Sequence, residues 1–375
     1  MKVVVALDKF KGTLTAPRAC EIVRDALLSV RPNWRVVIKP MADGGDGTAA
    51  VFHATLGGQW LSREVVGPLP EIRVRSAYLW IEQERTAVIE MASASGLVLV
   101  TPELRNPLKT TTFGTGELIR DAFARGARKV LLGVGGSATI DGGVGAAMAL
   151  GWRFLDARSE LIGLGGGELE HIARMERPAK RVDAVPIIEV LCDVDNPLCG
   201  EYGAARVFGP QKGATVTMVE RLDAGLKHLA TLAREQLGID IANIPGAGAA
   251  GGLAAGVLAF MDGRLVSGVE AIIRETGLEE EITGADWVIT GEGRFDEQSL
   301  RGKVVSGISK LAAKHDVKVA VLAGGMQVPE KVWRREGIEL ALTTMKTGMD
   351  LSEAMAHAEE LLAAAAQDLA AQIAA

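Results

Sequence analysis

Short unbroken apolar runs, each followed by a polar loop and then a stretch of helical spacing, recur at both ends of this chain and limit it to a small set of folds. Val3 to Leu7 opens the pattern. A strand apolar at every position is buried on both faces, as in a parallel sheet covered by helices on either side. Ala19, Ile22, Val23, Ala26, Leu27 and Val30 then recur at the spacing of one helix face, with Thr15 placed to cap and Pro17 in the first turn. Arg35 to Ile38 reads as a second strand. Toward the other end, Ala285 to Thr290, Val317 to Ala323 and Ile338 to Thr343 repeat the run, each followed by a helical stretch. The last of these is the alanine-rich segment from Leu351 onward. Strands alternating with helices in this way predict a doubly wound parallel α/β sheet formed by both chain ends. The middle reads differently. Ile72, Val74 and Leu79, then Ala87, Ile89 and Met91, flank the polar Glu82 to Arg85 as an antiparallel hairpin, and further α/β material runs through Leu131 and Ile187. The expected division is a discontinuous domain of residues 1–62 and 284–375, with a second α/β domain, 63–283, inserted in it.

Composition excludes several classes. The 375 residues suffice for two domains, at ~100 to 200 residues each. With 41 basic against 47 acidic residues and a net charge of −6, a general grip on nucleic acid is not expected. The three cysteines form no CxxC pair, so neither a disulfide framework nor a zinc site is indicated, and a reducing cytoplasm fits. The apolar run at the N-terminus is shorter than the ~7 to 15 residues of a signal-peptide core. Ile241 to Met261 is uncharged and long enough to cross a bilayer, but Asn243, Pro245 and five glycines make it read as a buried glycine-rich loop and helix. No membrane partner is expected. The 45 glycines exceed the usual ~7% and point to tight backbone loops.

Two of those loops invite a nucleotide. Gly133-Val134-Gly135-Gly136-Ser137-Ala138 follows the apparent strand Lys129 to Leu132 and has the GxGxxA form, and Gly246-Ala247-Gly248-Ala249-Ala250-Gly251 matches GxGxxG. Each reads equally as a phosphate cradle or as a glycine turn that lets a helix pack closely. No GxxxxGK[ST] occurs, so this is not a P-loop protein. Asp8, Asp43, Asp193, Glu292 and Asp296 fall at or just after expected strand ends, where open α/β sheets carry ligand loops. One such Asp is most often a cap or turn former; five together suggest a site for magnesium and phosphate. Lys11, Lys212, Arg294 and Lys303 occupy similar loops and can neutralise phosphate or carboxylate oxygens, or be solvated surface charges. His53, His171, His228, His315 and His357 lie elsewhere. Ser137 lacks both a GxSxG context and a histidine, which leaves a carboxylate as the base.

Taken in order, the blocks resemble one family. Asp8-x-Phe10-Lys11-Gly12-Thr13-Leu14, Met41-Ala42-Asp43-Gly44-Gly45-Asp46-Gly47-Thr48, Gly114-Thr115-Gly116-Glu117 and Gly135-Gly136-Ser137-Ala138-Thr139-x-Asp141-Gly142-Gly143 are similar to motifs of the bacterial glycerate kinases. So are Cys192-Asp193-Val194-x-Asn196-Pro197-Leu198, Phe208 to Ala214, Pro245 to Gly252 and Thr290-Gly291-Glu292-Gly293-Arg294-x-Asp296-x-Gln298-Ser299. The resemblance implies a cytoplasmic, ATP-dependent kinase that phosphorylates D-glycerate on its 2-hydroxyl. It implies a flavodoxin-like domain formed by the two chain ends, a second α/β domain, and an active site between them. Leu7, Lys9, Asp46, Ile140 and Asp195 depart from the family pattern.

On that basis we expect backbone amides of Gly135, Gly136, Ser137 and Thr139, and of Gly246 and Gly248, to meet ATP at helix starts, with Lys212 adding charge. Asp193 would be the base or hydroxyl-orienting group, and Asp8 and Glu292 the carboxylates on the Mg2+ side. Lys11, counted with the catalytic residues, and Arg294 would hold the glycerate carboxylate. Asp43 and Asp296 would hydrogen-bond its hydroxyls. The expected partner is the small-molecule substrate, with pairing as a homodimer open. Two rival readings are an NAD-dependent oxidoreductase on a small hydroxy acid, with Glu270 as ribose contact, and a two-lobed binding protein without catalysis.

Overall fold

A computed structural model describes residues 1–179, 186–300, 302–346 and 348–373. In chain order the strands are β1 (Lys2–Leu7), β2 (Arg35–Ile38), β3 (Gln59–Val66), β4 (Arg73–Ile81), β5 (Thr86–Glu90), β6 (Lys129–Gly133), β7 (Arg153–Leu155), β8 (Arg174–Glu176), β9 (Ile187–Leu191), β10 (Arg264–Val266), β11 (Trp287–Phe295), β12 (Lys318–Met326) and β13 (Ile338–Thr343). The chain forms two compact units. The first is Met1–Asp43, Ala50–Gly57 and Gly268–Ala375; the second is Gly44–Ala49 and Gly58–Ser267.

In the first unit the five apolar runs form one parallel sheet, ordered β13-β12-β11-β1-β2. That is the flavodoxin-like order, in which the chain leaves the first strand toward one edge and returns to build the other. Val3, Val5 and Leu7 share a fully buried cluster with Ala19, Cys20, Val23 and Leu27 of the helix Ala16–Val30 and with Leu362, Ala366 and Leu369 of the helix Ala358–Ile373. Val4 and Ala6, between them, are equally inaccessible, so alternation requires cover on the opposite face. There the helix Val304–Lys314 packs along β11 and β12. Each buried Val or Leu contributes ~1.5 to 3 kcal/mol over an exposed one. The helix Ala16–Val30 begins as its sequence suggests, with Thr15 Oγ1 accepting from Arg18 N at 3.4 Å.

In the second unit the sheet runs β10-β9-β6-β5-β4-β3. β10, β9, β6 and β5 are parallel, and β4 and β3 are antiparallel. The β4–β5 hairpin is the expected one. β3, an edge strand with Arg63 and Glu64 in its middle, was not expected from the sequence. The segment read as a buried glycine-rich helix is the helix Ala249–Phe260, nearly all of it inaccessible. Among the described residues no helix is long and apolar enough to cross a membrane.

Candidate active site

The reversal of strand order in the first sheet lies between β1 and β11, and their C-terminal ends are where such sheets open a crevice for ligand. Asp8 directly follows β1, and its N–H makes the last bond to β11, to Gly291 O at 2.9 Å. β11 does not stop at Thr290 as the sequence suggested. It continues to Phe295 beside β12, with Glu292 opposite Ala323 and Arg294 opposite Gly325, so Glu292 and Arg294 are strand residues on one face. On the other flank the chain stays beside β1 past Ile38, with Met41 N donating to Leu7 O at 2.9 Å. Asp43 is thereby brought near Asp8.

Three carboxylates therefore interact around the end of β1. Burial, then Asp43 and Glu292, push the Asp8 carboxyl up to about 7, against the pull of Lys9. Glu292 is also raised, chiefly by burial and further by Asp296 and Asp43, while Ser299 and Lys303 lower it. Glu292 Oε1 is buried and has no hydrogen-bond partner. Like charges crowded in this way are relieved by a cation. Among the described residues no three acidic, histidine or cysteine side chains could enclose a metal by themselves. Mg2+ commonly takes only one or two protein carboxylates and completes its shell with phosphate and water, and Asp8 and Glu292 fit that role.

Lys11 lies exposed in the turn closed by Phe10 and Leu14, its backbone N 3.2 Å from where a Cβ on Gly293 would stand. Arg294 donates to Gln327 Oε1 at 2.7 Å and lies 3.5 Å from Asp296 Oδ2. Asp296 Oδ1 accepts from Gln298 N at 2.9 Å. Each Asp296 oxygen thus has one partner, within its own turn or in Arg294, and keeps a lone pair that a substrate hydroxyl could meet.

In the second unit three loops beyond β6 and β9 are bonded together. Gly142 N donates to Gly251 O at 3.1 Å, and Gly248 N to Asn196 O at 3.0 Å. A Cβ on Gly251, whose φ is +68°, would stand 1.9 Å from Thr139 O, and one on Gly135 would stand 2.7 Å from Gly45 Cα. These glycines permit backbone to meet backbone, so close packing accounts for them before any phosphate does. Neither loop is the start of a regular helix. After Gly135–Thr139 the next helix begins at Val144. After Gly248 the residues Ala250, Gly251 and Gly252 are left-handed. No strand precedes Gly246, so the strand-turn-helix context of a dinucleotide fingerprint is missing at both places.

Lys212 is 2% exposed. Its Nζ donates to Ser137 Oγ at 2.7 Å and to Thr139 O at 2.8 Å. Because Ser137 accepts from the ammonium, its own hydroxyl hydrogen is left to donate elsewhere. Burial pushes Lys212 down to about 7, opposed by Asp141. Asp141 faces five donors: Thr112 N (2.8 Å), Thr112 Oγ1 (2.9 Å), Thr111 Oγ1 (3.3 Å), Gly143 N (3.1 Å) and Gly145 N (3.3 Å). Burial raises its carboxyl, while the donors, four on Oδ2 and one on Oδ1, favour its ionised form. Lys212 therefore pins the Ser137–Thr139 loop from beneath.

Asp193 stands two residues past β9 and accepts from Ser267 Oγ at 2.8 Å. The structure thus groups Asp8, Asp43, Glu292, Arg294 and Asp296 in the first unit, and Gly135 to Thr139, Asp193, Lys212, Gly246 and Gly248 in the second. Sequence reasoning gave no role to Asp141 or Ser267. Asp141 lies inside a glycine block that could have flagged it; nothing local marks Ser267.

The chain matches the sequence model of the glycerate kinase family over residues 3–374. It is 45% identical to a glycerate kinase of Halalkalibacterium halodurans over 370 residues, covering 98% of this chain and 97% of that protein. It is 40% identical to the glycerate 2-kinase of Escherichia coli over 377 residues, covering 100% and 98%. A crystal structure assigned as glycerate kinase 2 of Salmonella typhimurium superposes with a TM-score of 0.89 at 40% identity, covering 100% of this chain and 98% of that one. The oxidoreductase reading is set aside by these likenesses and by the missing dinucleotide fingerprint. The chain belongs to the glycerate kinase family and is a phosphotransferase.

Proposed function

We propose that the chain transfers the γ-phosphoryl group of ATP to the 2-hydroxyl of D-glycerate, giving 2-phosphoglycerate and ADP. The observations that carry this reading are a buried carboxylate group at the end of β1 in the first unit and, in the second, a lysine-pinned loop and an oriented carboxylate, Asp193, at the ends of β6 and β9. Phosphoryl transfer asks for those parts: charge neutralisation, donors on the phosphates and a group that takes the acceptor's proton. The name of the Escherichia coli relative supports the 2-position.

In this reading the amides of Gly135, Gly136, Ser137, Thr139, Gly246 and Gly248 and the Ser137 hydroxyl meet the nucleotide, and Lys212 supplies positive charge from behind the loop. Asp8 and Glu292 hold Mg2+, which when bound neutralises charge on the phosphates. Lys11 and Arg294 take the glycerate carboxylate, with Asp43 toward a hydroxyl. Asp193 accepts the proton of the attacking hydroxyl. Phosphorus NMR of the product formed from ATP and D-glycerate tests the assignment. A 2-phosphoglycerate resonance is expected. A 3-phosphoglycerate resonance would overturn the regiochemistry, and the absence of any phosphorylated glycerate would overturn the whole reading.

A further inference from the structure

We propose that Ser267 is a positioning residue for this reaction, its hydroxyl holding one oxygen of Asp193 and so aiming the carboxylate that takes the acceptor's proton. The inference rests on the reading of Asp193 as the base. Backbone register sets the geometry. β10 pairs in parallel with β9 as far as Val266 opposite Leu191, and the ladder extends by one bond, from Cys192 N to Val266 O at 2.9 Å. Asp193 and Ser267 stand just beyond the ends of these two strands, and Ser267 Oγ donates to Asp193 Oδ1 at 2.8 Å. The partners are 74 residues apart, so the sheet alone brings them together.

In the transfer, the acceptor oxygen forms a bond to the γ-phosphorus as the bond to the β,γ-bridging oxygen breaks. ADP leaves with that electron pair, and the hydroxyl proton passes to the Asp193 carboxylate. A donor on one carboxylate oxygen fixes the plane of the group and favours its ionised form. The titratable neighbours on the same loop are Cys192, whose thiol is pushed up by burial and by Asp193 and Asp195, and Asp195 itself. On β10, Arg264 is paired with Glu189. Beyond Ser267 the helix Gly268–Thr276 carries Glu270 in its first turn.

That helix supplies the competing explanation. Ser267 precedes it directly and Glu270 follows three residues later, the spacing of a capping box. A serine that served only as a cap would affect stability on removal but leave the ionisation of Asp193 alone.

Steady-state kinetics of Ser267→Ala with D-glycerate and MgATP, from about pH 5 to about pH 9, separate the two. We expect kcat about tenfold lower or more, as befits a lost hydrogen bond to a charged group, with the KM for ATP unchanged. The acid limb of the kcat profile should move up by about one pH unit, and Ser267→Thr, which keeps the hydroxyl, should restore both. An unmoved acid limb, with or without a lower unfolding midpoint, leaves Ser267 a helix cap and overturns the inference. Asp193→Asn is measured alongside. An active Asp193→Asn removes the base reading and the inference with it. An inactive Asp193→Asn beside a Ser267→Ala of wild-type profile removes only the role of Ser267.

Discussion

Replacing Lys212 by methionine keeps the length and apolar stem of the side chain and removes its ammonium. The lysine is 2% exposed, and burial brings it down from 10.5 to about 7. The unfolded chain therefore keeps this proton up to about pH 10.5 while the folded chain releases it near pH 7. Below about pH 7 both states hold the proton and the full penalty for burying the charge is present. The penalty fades as pH rises through that window. Between about pH 6 and about pH 9 the unfolded state binds close to one more proton over some two pH units, which is about 2.5 kcal/mol of stability gained by the wild type. Lys212→Met lacks that gain. It also leaves Ser137 Oγ and Thr139 O without their donor, a loss of ~1 to 3 kcal/mol at either pH. Urea unfolding of both proteins at the two pH values isolates the lysine, because every other titrating group is common to them. The stability of the variant relative to wild type should fall by about 2.5 kcal/mol from the lower to the higher pH. A difference independent of pH would show that Lys212 keeps its proton throughout, and would refute the burial argument.

Three further outcomes follow from the geometry. Arg294→Ala should raise the KM for glycerate at least about tenfold with little change for ATP, the effect of a lost charged hydrogen bond; an unchanged KM would make Arg294 structural. Gly251→Ala should lower the unfolding midpoint and raise the KM for ATP, since the added methyl would meet Thr139 O at 1.9 Å from a left-handed backbone; wild-type behaviour would mean the two loops are not in contact. Asp8→Asn should abolish activity yet stabilise the protein in EDTA. The wild-type Asp8 carboxyl, held near 7, loses stability as pH rises from about 4 to about 7, a swing of about 4 kcal/mol that asparagine does not share. A variant no more stable than wild type at pH 8 would count against the crowding of Asp8 by Asp43 and Glu292.

The first sheet was legible because its central strands β1, β11 and β12 are buried on both faces over most of their length, and such strands announce themselves as unbroken apolar runs like Val3 to Leu7, while the edge strands β2 and β13 are only partly buried. β3 was not: Trp60 is exposed, Leu61 and Val65 are buried, and Arg63 and Glu64 stand between, so its pattern at the sheet edge is weak and its pairing depends on β4. The extension of β11 through Arg294 was hidden because Glu292 and Arg294 break the apolar run, and their pairing with β12 is not visible locally. Where the glycines and carboxylates gather into loops was readable from the sequence. What the glycines do was not, because a close approach such as Gly251 to Thr139 joins loops more than a hundred residues apart. The same holds for Ser267 and Asp193, and for the burial of Lys212, which reads in sequence like any loop lysine.

The central claim is that these two groups of side chains serve phosphoryl transfer from ATP to a three-carbon hydroxy acid. ADP release by the purified chain, measured with ATP and Mg2+ in the presence and absence of D-glycerate, tests it most directly. The account predicts rapid ADP formation that requires D-glycerate and stops when EDTA removes the divalent ion. ADP formation indifferent to glycerate, or none at all, would contradict it.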